Sequence, residues 1–201
     1  MRHGVWNILD LAAEYGDGAI GEMLSDFTTS VSDDSDGRPL NPEIEHFLKN
    51  NALQFSKEKK SVTYVVGDED DGSVLGYFTL AHKVIEIPAF GLSRTTLRNI
   101  DRYASPSPDN TYLISAFLIA QLGKNYGVDG GMRISGDELM RLAVRELCDV
   151  QHRIGGGLIY LDCEANAKLI RFYQDQQNFR LFGERISESD GKRYLQYMKF
   201  I

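Results

Sequence analysis

The chain has few of the residues from which disulfide-rich, zinc-binding or membrane proteins are built. Its two cysteines, Cys148 and Cys163, are too few for a disulfide framework, and neither has a metal-ligand neighbour at zinc-site spacing. No run of about eighteen apolar residues occurs, and Asp10 and Glu14 interrupt any apolar core of a signal peptide near the start. We therefore expect a soluble, cytoplasmic protein with reduced thiols that does not bind membranes.

The composition is that of a globular domain with an uneven charge. Of the 201 residues, 42% are hydrophobic and 25% are charged, which predicts a single domain over residues 1–201. The net charge of -7 disfavours DNA and other polyanions as partners of the whole surface. Residues 1–75 hold 15 acids and 6 bases, whereas residues 165–201 hold 4 acids and 7 bases. A basic face near the end of the chain is therefore compatible with the acidic total.

Two acidic segments, SDDSDG at 32–37 and DEDDG at 68–72, account for much of the negative charge. Both are rich in turn-forming residues, so we interpret them as solvated turns. Neither has the alternate ligands and the final Glu of a calcium-binding loop. We expect no metal site.

The periodicity of apolar residues predicts a mixed α/β fold. Residues 1–40 form an N-terminal helical extension with a helix near 19–29, Asn41 and Pro42 start the next helix, and residues 85–110 are an inserted connection with a short helix. The remaining predicted elements are a hairpin (61–66 and 73–80), a strand buried on both faces (112–122), a helix after a glycine-rich loop, a second buried strand (158–163), a helix (166–176) and a final hairpin (179–186 and 193–201).

Five glycines lie between Gly123 and Gly136 (GKNYGVDGGMRISG), directly before a predicted helix. A helix start presents unpaired N–H groups and a partial positive charge, and glycine lets a phosphate approach the backbone. The loop is not a P-loop, because Asp137 and Glu138 follow Gly136, and Asp129 replaces the middle glycine of a dinucleotide fingerprint. The pattern indicates an anion site or merely a tight connection.

From about residue 40 onward, the chain resembles the GNAT superfamily of acyl-CoA-dependent N-acetyltransferases. EANAKLIRFYQDQQNF (164–179) is similar to the family pattern Asn-x-x-Ala/Leu-x-x-x-Tyr-x-x-x-Gly-Phe, with Asn166 and Tyr173 at matching places. AQLGKNYG (120–127) and ISGDELM (134–140) resemble the end of its central strand and its loop-to-helix junction. Segments 47–66 and 76–83 resemble bacterial members, some of them toxin-type enzymes.

The resemblance covers about residues 40–201, with departures from the family pattern. When the family loop pattern Gln/Arg-x-x-Gly-x-Gly/Ala is ended on Gly136, Gly131 takes the Gln/Arg position and Ile134 takes the first glycine position. Asn178 replaces the glycine before Phe179. The departures affect loop contacts more than the fold, because backbone N–H groups hold the phosphates.

The resemblance implies a mostly antiparallel sheet with a splayed central parallel strand pair, helices on both faces, and acetyl-CoA bound in the wedge between the splayed strands. Tyr173 would protonate the leaving thiolate, since a phenol with a pKa of about 10 is a suitable donor. Asn166 would contact the cofactor arm. The residues implied at the pantetheine and the pyrophosphate are Leu122, Gly123, Lys124, Arg133, Ile134, Ser135, Gly136 and Asp137.

The residues leave the base and the acceptor open. Asp162, Glu164, His82 or water could take the proton from the amine, whereas Cys163 has no neighbour in sequence that would activate it as a nucleophile. The acceptor amine could be a small molecule, a protein or an aminoacyl-tRNA, and a non-catalytic acyl-CoA-binding module is the alternative. A homodimer and an antitoxin are further expected partners. An RNA-facing side could be formed by Lys168, Arg171, Arg180, Arg185, Lys192 and Arg193 with Arg94, Arg98 and Arg102.

Overall fold

The computed structural model describes residues 2–30, 41–187 and 191–201. The strands are β1 (His3–Asn7), β2 (Val62–Asp68), β3 (Val74–Pro88), β4 (Thr111–Lys124), β5 (Leu158–Glu164), β6 (Arg180–Ile186) and β7 (Arg193–Phe200). The helices are α1 (Ile8–Tyr15), α2 (Asp17–Ser25), α3 (Pro42–Asn50), α4 (Ala52–Lys57), α5 (Arg94–Ile100), α6 (Gly136–Ile154) and α7 (Ala167–Ile170). A 3₁₀ turn (Asp129–Gly131) precedes α6, and a π-helical turn (Arg171–Gln176) follows α7.

The strands form one mixed sheet in the order β1-β2-β3-β4-β5-β7-β6. The pairs β1–β2, β2–β3, β5–β7 and β6–β7 are antiparallel. The pair β4–β5 is parallel, with Phe117 opposite Ile159 and Leu118 opposite Tyr160, and both strands continue beyond these residues. The predicted mixed, mostly antiparallel sheet with a central parallel pair is confirmed.

The chain divides into two compact units. The first unit comprises Met1–Ala81 and Ala120–Glu146. Phe27 and Tyr77 meet edge to face in its core, with ring centroids 5.4 Å apart, and the Tyr77 hydroxyl donates to the Ile44 carbonyl at 2.7 Å. Its buried cluster is Ile8, Ala12, Ile20, Leu24, Phe27, Leu48, Ala52, Val65, Val74 and Tyr77.

The N-terminal segment differs from the predicted helical extension. It begins with β1, an edge strand of the sheet that the sequence pattern did not reveal, and α1 follows it. The predicted helix near 19–29 is present as α2, which begins at Asp17 and ends at Ser25. Asn7 caps α1 by accepting the Leu9 N–H at 2.9 Å, and Gly16, at φ 84°, separates α1 from α2. The predicted acidic turn at 32–37 lies outside the described residues.

The second unit comprises His82–Ile119 and Leu147–Ile201. Its buried cluster is Ile87, Ala89, Ile100, Tyr112, Ile114, Ala116, Leu158, Tyr160 and Met198. Ser93 caps α5, the short helix of the predicted inserted connection at 85–110, and β3 takes up the first residues of that connection by extending to Pro88. The prediction that β4 is buried on both faces is wrong for its first half, because Leu113 and Ser115 alternate as exposed residues with the buried Tyr112 and Ile114.

Among the described residues, no helix has both the length and the apolarity needed to cross a bilayer. The interpretation of residues 1–201 as one domain and the placement of helices on both faces stay predictions.

Candidate functional site

The glycine-rich loop leads into α6 as the sequence predicts. Ser135 caps the helix: its Oγ accepts the Glu138 N–H at 3.0 Å, and its carbonyl accepts the Leu139 N–H at 3.0 Å. Gly130 and Gly131 have φ values of 59° and 73°, which glycine adopts at little cost. Ile134 is buried and anchors the loop in the first unit. The loop therefore ends in a capped helix start, as a backbone anion site requires, and the binding of an anion there stays a prediction.

Arg133 does not present its guanidinium to solvent. The group pairs with the carboxylates of Asp68 and, at 2.9 Å, of Asp71, and it lies 3.9 Å from Asp129. Asp68 is only 1% exposed, so the interpretation of 68–72 as a solvated turn is wrong at this residue. Its pKa is lowered by the Asp70 N–H and by Arg133, while Arg133 lowers the pKa of Asp71 to about 2.

His3 makes a second connection to the same junction. Its Nε2 lies 3.2 Å from the Arg133 carbonyl oxygen, and its Nδ1 lies 2.9 Å from Glu138 Oε1. The His3 side chain is 8% exposed. A carbonyl and a carboxylate both accept, so both hydrogen bonds form only when both ring nitrogens carry hydrogen. Sequence reasoning missed His3, because β1 gave no strand signal.

The predicted pantetheine residues Leu122, Gly123 and Lys124 form the end of β4. Gly123 is buried, and a Cβ there would lie 2.5 Å from Ile44 Cγ2 and 2.7 Å from Tyr77 Cε1, so packing requires glycine. Lys124 packs against the loop, with its Cε 3.2 Å from the place of a Gly131 Cβ. The structure therefore brings the strand end and the loop together at Lys124.

Asn125, which sequence reasoning also missed, ties the strand end to the start of the loop. It is 4% exposed, its Oδ1 accepts the N–H groups of Thr28 and Gly127 at 3.0 Å each, and its Nδ2 donates to the Val74 carbonyl at 2.8 Å. An amide that joins three segments holds the chain direction after β4.

Tyr173 belongs to the second unit and lies in the π-helical turn. Its ring contacts Phe172, Phe179 and Tyr197, with centroids 5.0, 6.1 and 6.3 Å away. Burial, and then the proximity of the Cys163 thiol, raise the pKa of Tyr173 well above its usual value. No residue in the described part of the chain hydrogen-bonds its hydroxyl. The hydroxyl is therefore a protonated donor at neutral pH.

The π-helical turn explains a spacing difference that the sequence contains. The family pattern has three residues between its Tyr and its Gly, whereas four separate Tyr173 from Asn178. The Gln177 N–H bonds to the Phe172 carbonyl at 3.0 Å, the i to i-5 pattern of a π-helix. A wider turn accommodates the additional residue, and Asn178 takes the left-handed conformation at φ 57° that glycine usually occupies.

Asn166 caps α7, its Oδ1 accepting the Lys168 N–H at 2.8 Å. Its side-chain oxygen is thus used locally, and its contact with a cofactor stays a prediction.

The three side chains considered as bases all have partners within the second unit. Asp162 accepts from Arg185 Nε at 2.7 Å, and Glu164 pairs with Lys192 at 2.5 Å. His82 Nε2 lies 2.9 Å from Ser115 Oγ on exposed strand positions. No base is therefore singled out by geometry.

The thiols and potential metal ligands add no further chemistry. Burial raises the pKa of Cys163 to about 11, so its thiol is neutral at pH 7. Within residues 2–30, 41–187 and 191–201, no three His, Cys, Asp or Glu side chains are grouped as metal ligands.

The basic residues named in the sequence divide into paired and unpaired groups. Arg185, Lys192 and Arg193 pair with Asp162, Glu164 and Glu184. In contrast, Arg94 and Arg98 on α5 and Arg102, two residues after its end, recur at intervals of four residues and are exposed, with Arg102 bonded to Asn99. We call these three residues the α5 arginine stripe. No carboxylate among the described residues forms an ion pair with it, and the same holds for Lys168, Arg171 and Arg180 of the predicted basic face.

A comparison with protein-family models finds no match, and none of the curated proteins matches the sequence. Solved structures do match in fold. AtaT complexed with acetyl-methionyl-tRNAfMet has a TM-score of 0.62 and 16% identity, over 96% of this chain and 94% of that one. A tyrosine-to-phenylalanine mutant of KacT has a TM-score of 0.63 and 16% identity, over the same shares of the two chains.

A third match is a mutant of the AtaT toxin bound to the C-terminus of the antitoxin AtaR and acetyl-CoA, with a TM-score of 0.55 and 12% identity over 100% and 94% of the chains. At these identities the likeness is one of fold. The chain therefore has the fold of the GNAT N-acetyltransferases.

Proposed function

We propose that the protein is an N-acetyltransferase that moves the acetyl group of acetyl-CoA to a primary amine. The observation that carries the proposal is the glycine-rich entry into α6, with its capped helix start, in a chain of GNAT fold. The acetyl-CoA in the AtaT structure of this fold supports the choice of cofactor.

The residues at the α6 entry fit the phosphates of a CoA. The first N–H groups of a helix have no partner within the helix, and here Ser135 Oγ accepts that of Glu138, so the backbone at Gly136 is the part of the helix start that we expect to face an anion. Lys124 adds a cation beside the loop. Leu122, Gly123 and Lys124 would hold the pantetheine, residues Arg133–Asp137 the pyrophosphate, and Asn166 the cofactor arm.

Because α6 begins at Gly136, the family loop pattern fits better when it starts at Arg133. Gly136 is then the first glycine, and Glu138 stands where the pattern has Gly or Ala. His3 binds the Glu138 carboxylate, so this larger side chain is held by a partner of its own.

Acetyl-CoA supplies an activated thioester. The attacking amine forms the C–N bond as the C–S bond breaks, the amine loses a proton, and the thiolate gains one. Tyr173 is suited to the second transfer, since burial keeps its hydroxyl protonated across the neutral range. Because Asp162 and Glu164 are ion-paired, water is the favoured carrier of the amine proton.

Tyr173→Phe tests this role, since it removes one oxygen and keeps the ring contacts. We expect a large loss of turnover with unchanged affinity for acetyl-CoA, measured by titration calorimetry and by release of free thiol. Tyr103→Phe is the matched control, because Tyr103 is a partly exposed tyrosine of the same unit, stacked on Phe200. Equal turnover of the two variants would remove Tyr173 from the mechanism.

Within this activity, we propose an aminoacyl-tRNA as the acceptor. The unneutralised α5 arginine stripe supports a polyanionic acceptor, and the matched AtaT structure contains an acetylated tRNA. Incubation with labelled acetyl-CoA and a total cell extract should place the label in RNA. Replacing Arg98 by Gln should weaken the reaction and reduce the salt dependence of tRNA binding by about one unit of slope. Label in proteins or small molecules, with no effect of salt, would contradict an RNA acceptor.

A non-catalytic acyl-CoA-binding module is a second candidate, favoured by the pairing of every side chain that could act as a base. It predicts that acetyl-CoA raises the thermal stability while no amine is acetylated. At about a hundred times its Kd, a ligand adds about 2.7 kcal/mol to the free energy of unfolding. Absence of any such shift would remove both candidates.

An antitoxin and a second copy of the chain stay proposed partners. The antitoxin bound in the AtaT structure supports the first. Sedimentation of the purified protein, alone and after co-expression with the neighbouring reading frames, tests both.

A further inference from the structure

Strands β1 and β2 each contribute one side chain that contacts residues 133–138 at the start of α6. His3 of β1 and Asp68 of β2 are opposite each other in the antiparallel register. Both side chains reach the same short segment: His3 contacts the Arg133 carbonyl and the Glu138 carboxylate, and Asp68 contacts the Arg133 guanidinium. Both side chains are buried, at 8% and 2% exposure. They therefore fix the Arg133–Glu138 backbone from inside the fold.

The charges at this entry work against an anion. Asp68, Asp71 and Asp129 surround one guanidinium, and Asp137 and Glu138 lie in the first turn of α6. The Arg133 guanidinium is therefore paired with carboxylates, and only the backbone of Arg133 is available to a phosphate. Although Lys124 lies beside the loop, carboxylates outnumber cations at this entry, so an anion bound here depends on backbone N–H groups whose direction is set accurately.

The carboxylate of Glu138, in the first turn of α6, is bound by His3. Glu138 stands where the family loop pattern has a small residue, and the bond from His3 Nδ1 to its Oε1 holds it at 2.9 Å. Arg141 also lies 3.4 Å from this oxygen, but its side chain is 63% exposed. Without the His3 bond the carboxylate is therefore held only weakly against the N–H groups of its own helix start, which attract negative charge.

We propose that His3 and Asp68 are positioning residues for the phosphate-binding entry of α6. His3 directs the Arg133 carbonyl and the Glu138 carboxylate away from the anion, and Asp68 fixes Arg133 so that the following N–H groups face it. This role rests on the proposed use of acetyl-CoA.

The test measures the affinities of His3→Gln and Asp68→Asn for two ligands. Acetyl-CoA carries the pyrophosphate, whereas S-acetyl-pantetheine has the same thioester arm without phosphates. Each variant should bind acetyl-CoA about tenfold more weakly, since small misplacements of binding groups have effects of at least this size. Affinity for S-acetyl-pantetheine should not change.

Whether Asp68→Asn weakens or strengthens the binding of acetyl-CoA distinguishes lost positioning from a change of charge. Removing a carboxylate near a phosphate strengthens phosphate binding by Coulomb's law, so a weaker complex points to lost positioning. Asp70→Asn removes the same charge from an exposed residue of the same turn and is the matched control. His46→Gln, at an exposed histidine of α3, is the control for His3.

Four results have distinct meanings. Selective loss of acetyl-CoA affinity in both variants, absent from both controls, supports the proposal. Equal loss for both ligands shows a general structural role and overturns it, as does unchanged or tighter acetyl-CoA binding. If the parent protein binds neither ligand, the proposed function fails instead.

Discussion

Gly123→Ala is the sharpest test of the packing around the end of β4. The φ angle of Gly123 is not positive, so the backbone accepts alanine and only space opposes it. A Cβ there would lie 2.5 Å from Ile44 Cγ2 and 2.7 Å from Tyr77 Cε1. Neither atom is the end of a flexible chain, because Tyr77 is fully buried and bonded to the Ile44 carbonyl.

Overpacking of this kind costs about 1–3 kcal/mol of unfolding free energy. With a urea m-value of about 2 kcal/mol/M, the midpoint should fall by about 0.5–1.5 M. Trp6 is the single tryptophan and lies on β1 of the same unit, so its fluorescence reports on this region. Urea titration followed by Trp6 emission is therefore the assay.

Two further variants make the Gly123 prediction refutable. Gly21→Ala lies in α2 with no atom near its Cβ, so it should stabilise the unit by about 0.5–1 kcal/mol. Ile44→Ala removes one of the clashing atoms, so Gly123→Ala should cost less in that background, with a coupling of about 0.5–3 kcal/mol. If Gly123→Ala behaves like Gly21→Ala, or shows no coupling to Ile44, the reasoning is wrong.

Three other predictions concern the Tyr77 hydroxyl, the thiols of Cys148 and Cys163, and the acidic turn at residues 68–72. Tyr77→Phe leaves the Ile44 carbonyl without its partner and should cost about 1–3 kcal/mol in urea unfolding, whereas a neutral result would show that another donor replaces the hydroxyl. At pH 7.5 an alkylating reagent should label Cys148 well before Cys163, whose pKa burial raises to about 11, and equal rates would contradict that burial. The Arg133 guanidinium lowers the pKa of Asp71 from 3.8 to about 2, so ionised Asp71 stabilises the fold above about pH 4. This stabilisation is lost as the pH falls toward 2. The difference in unfolding free energy between the parent and Asp71→Asn should therefore shrink over that pH range.

The local sequence predicts most elements of the second half of the chain because their signals are local. The glycines before α6, the apolar runs of β4 and β5, and the motif from Asn166 to Phe179 depend on neighbours in sequence. The same reasoning missed β1, because five residues without clear alternation become a strand only when β2 lies alongside. It also missed the π-helical turn, since the additional residue after Tyr173 could be recognised only by its hydrogen bonds.

The candidate site shows the same division. The sequence predicts which segment offers backbone N–H groups to an anion, and Ser135 and Gly136 are found at that helix start. It did not predict the use of Arg133, because Asp68 is 65 residues away and meets it only in the folded unit. His3 is further still, 135 residues from Glu138.

The sequence by itself determined the mixed sheet, the glycine-rich entry to α6 and the place of Tyr173, because hydrophobic period, helix caps and glycine act over a few residues. Only the tertiary structure decided which charged side chains form ion pairs. The sequence shows Arg133, Asp162 and Glu164 only as charged residues, whereas in the folded protein each forms an ion pair with a partner that folding brings near. The α5 arginine stripe keeps its charge, since no carboxylate of the described residues reaches it. Pairing between distant residues depends on distance in space, which the order of residues does not contain.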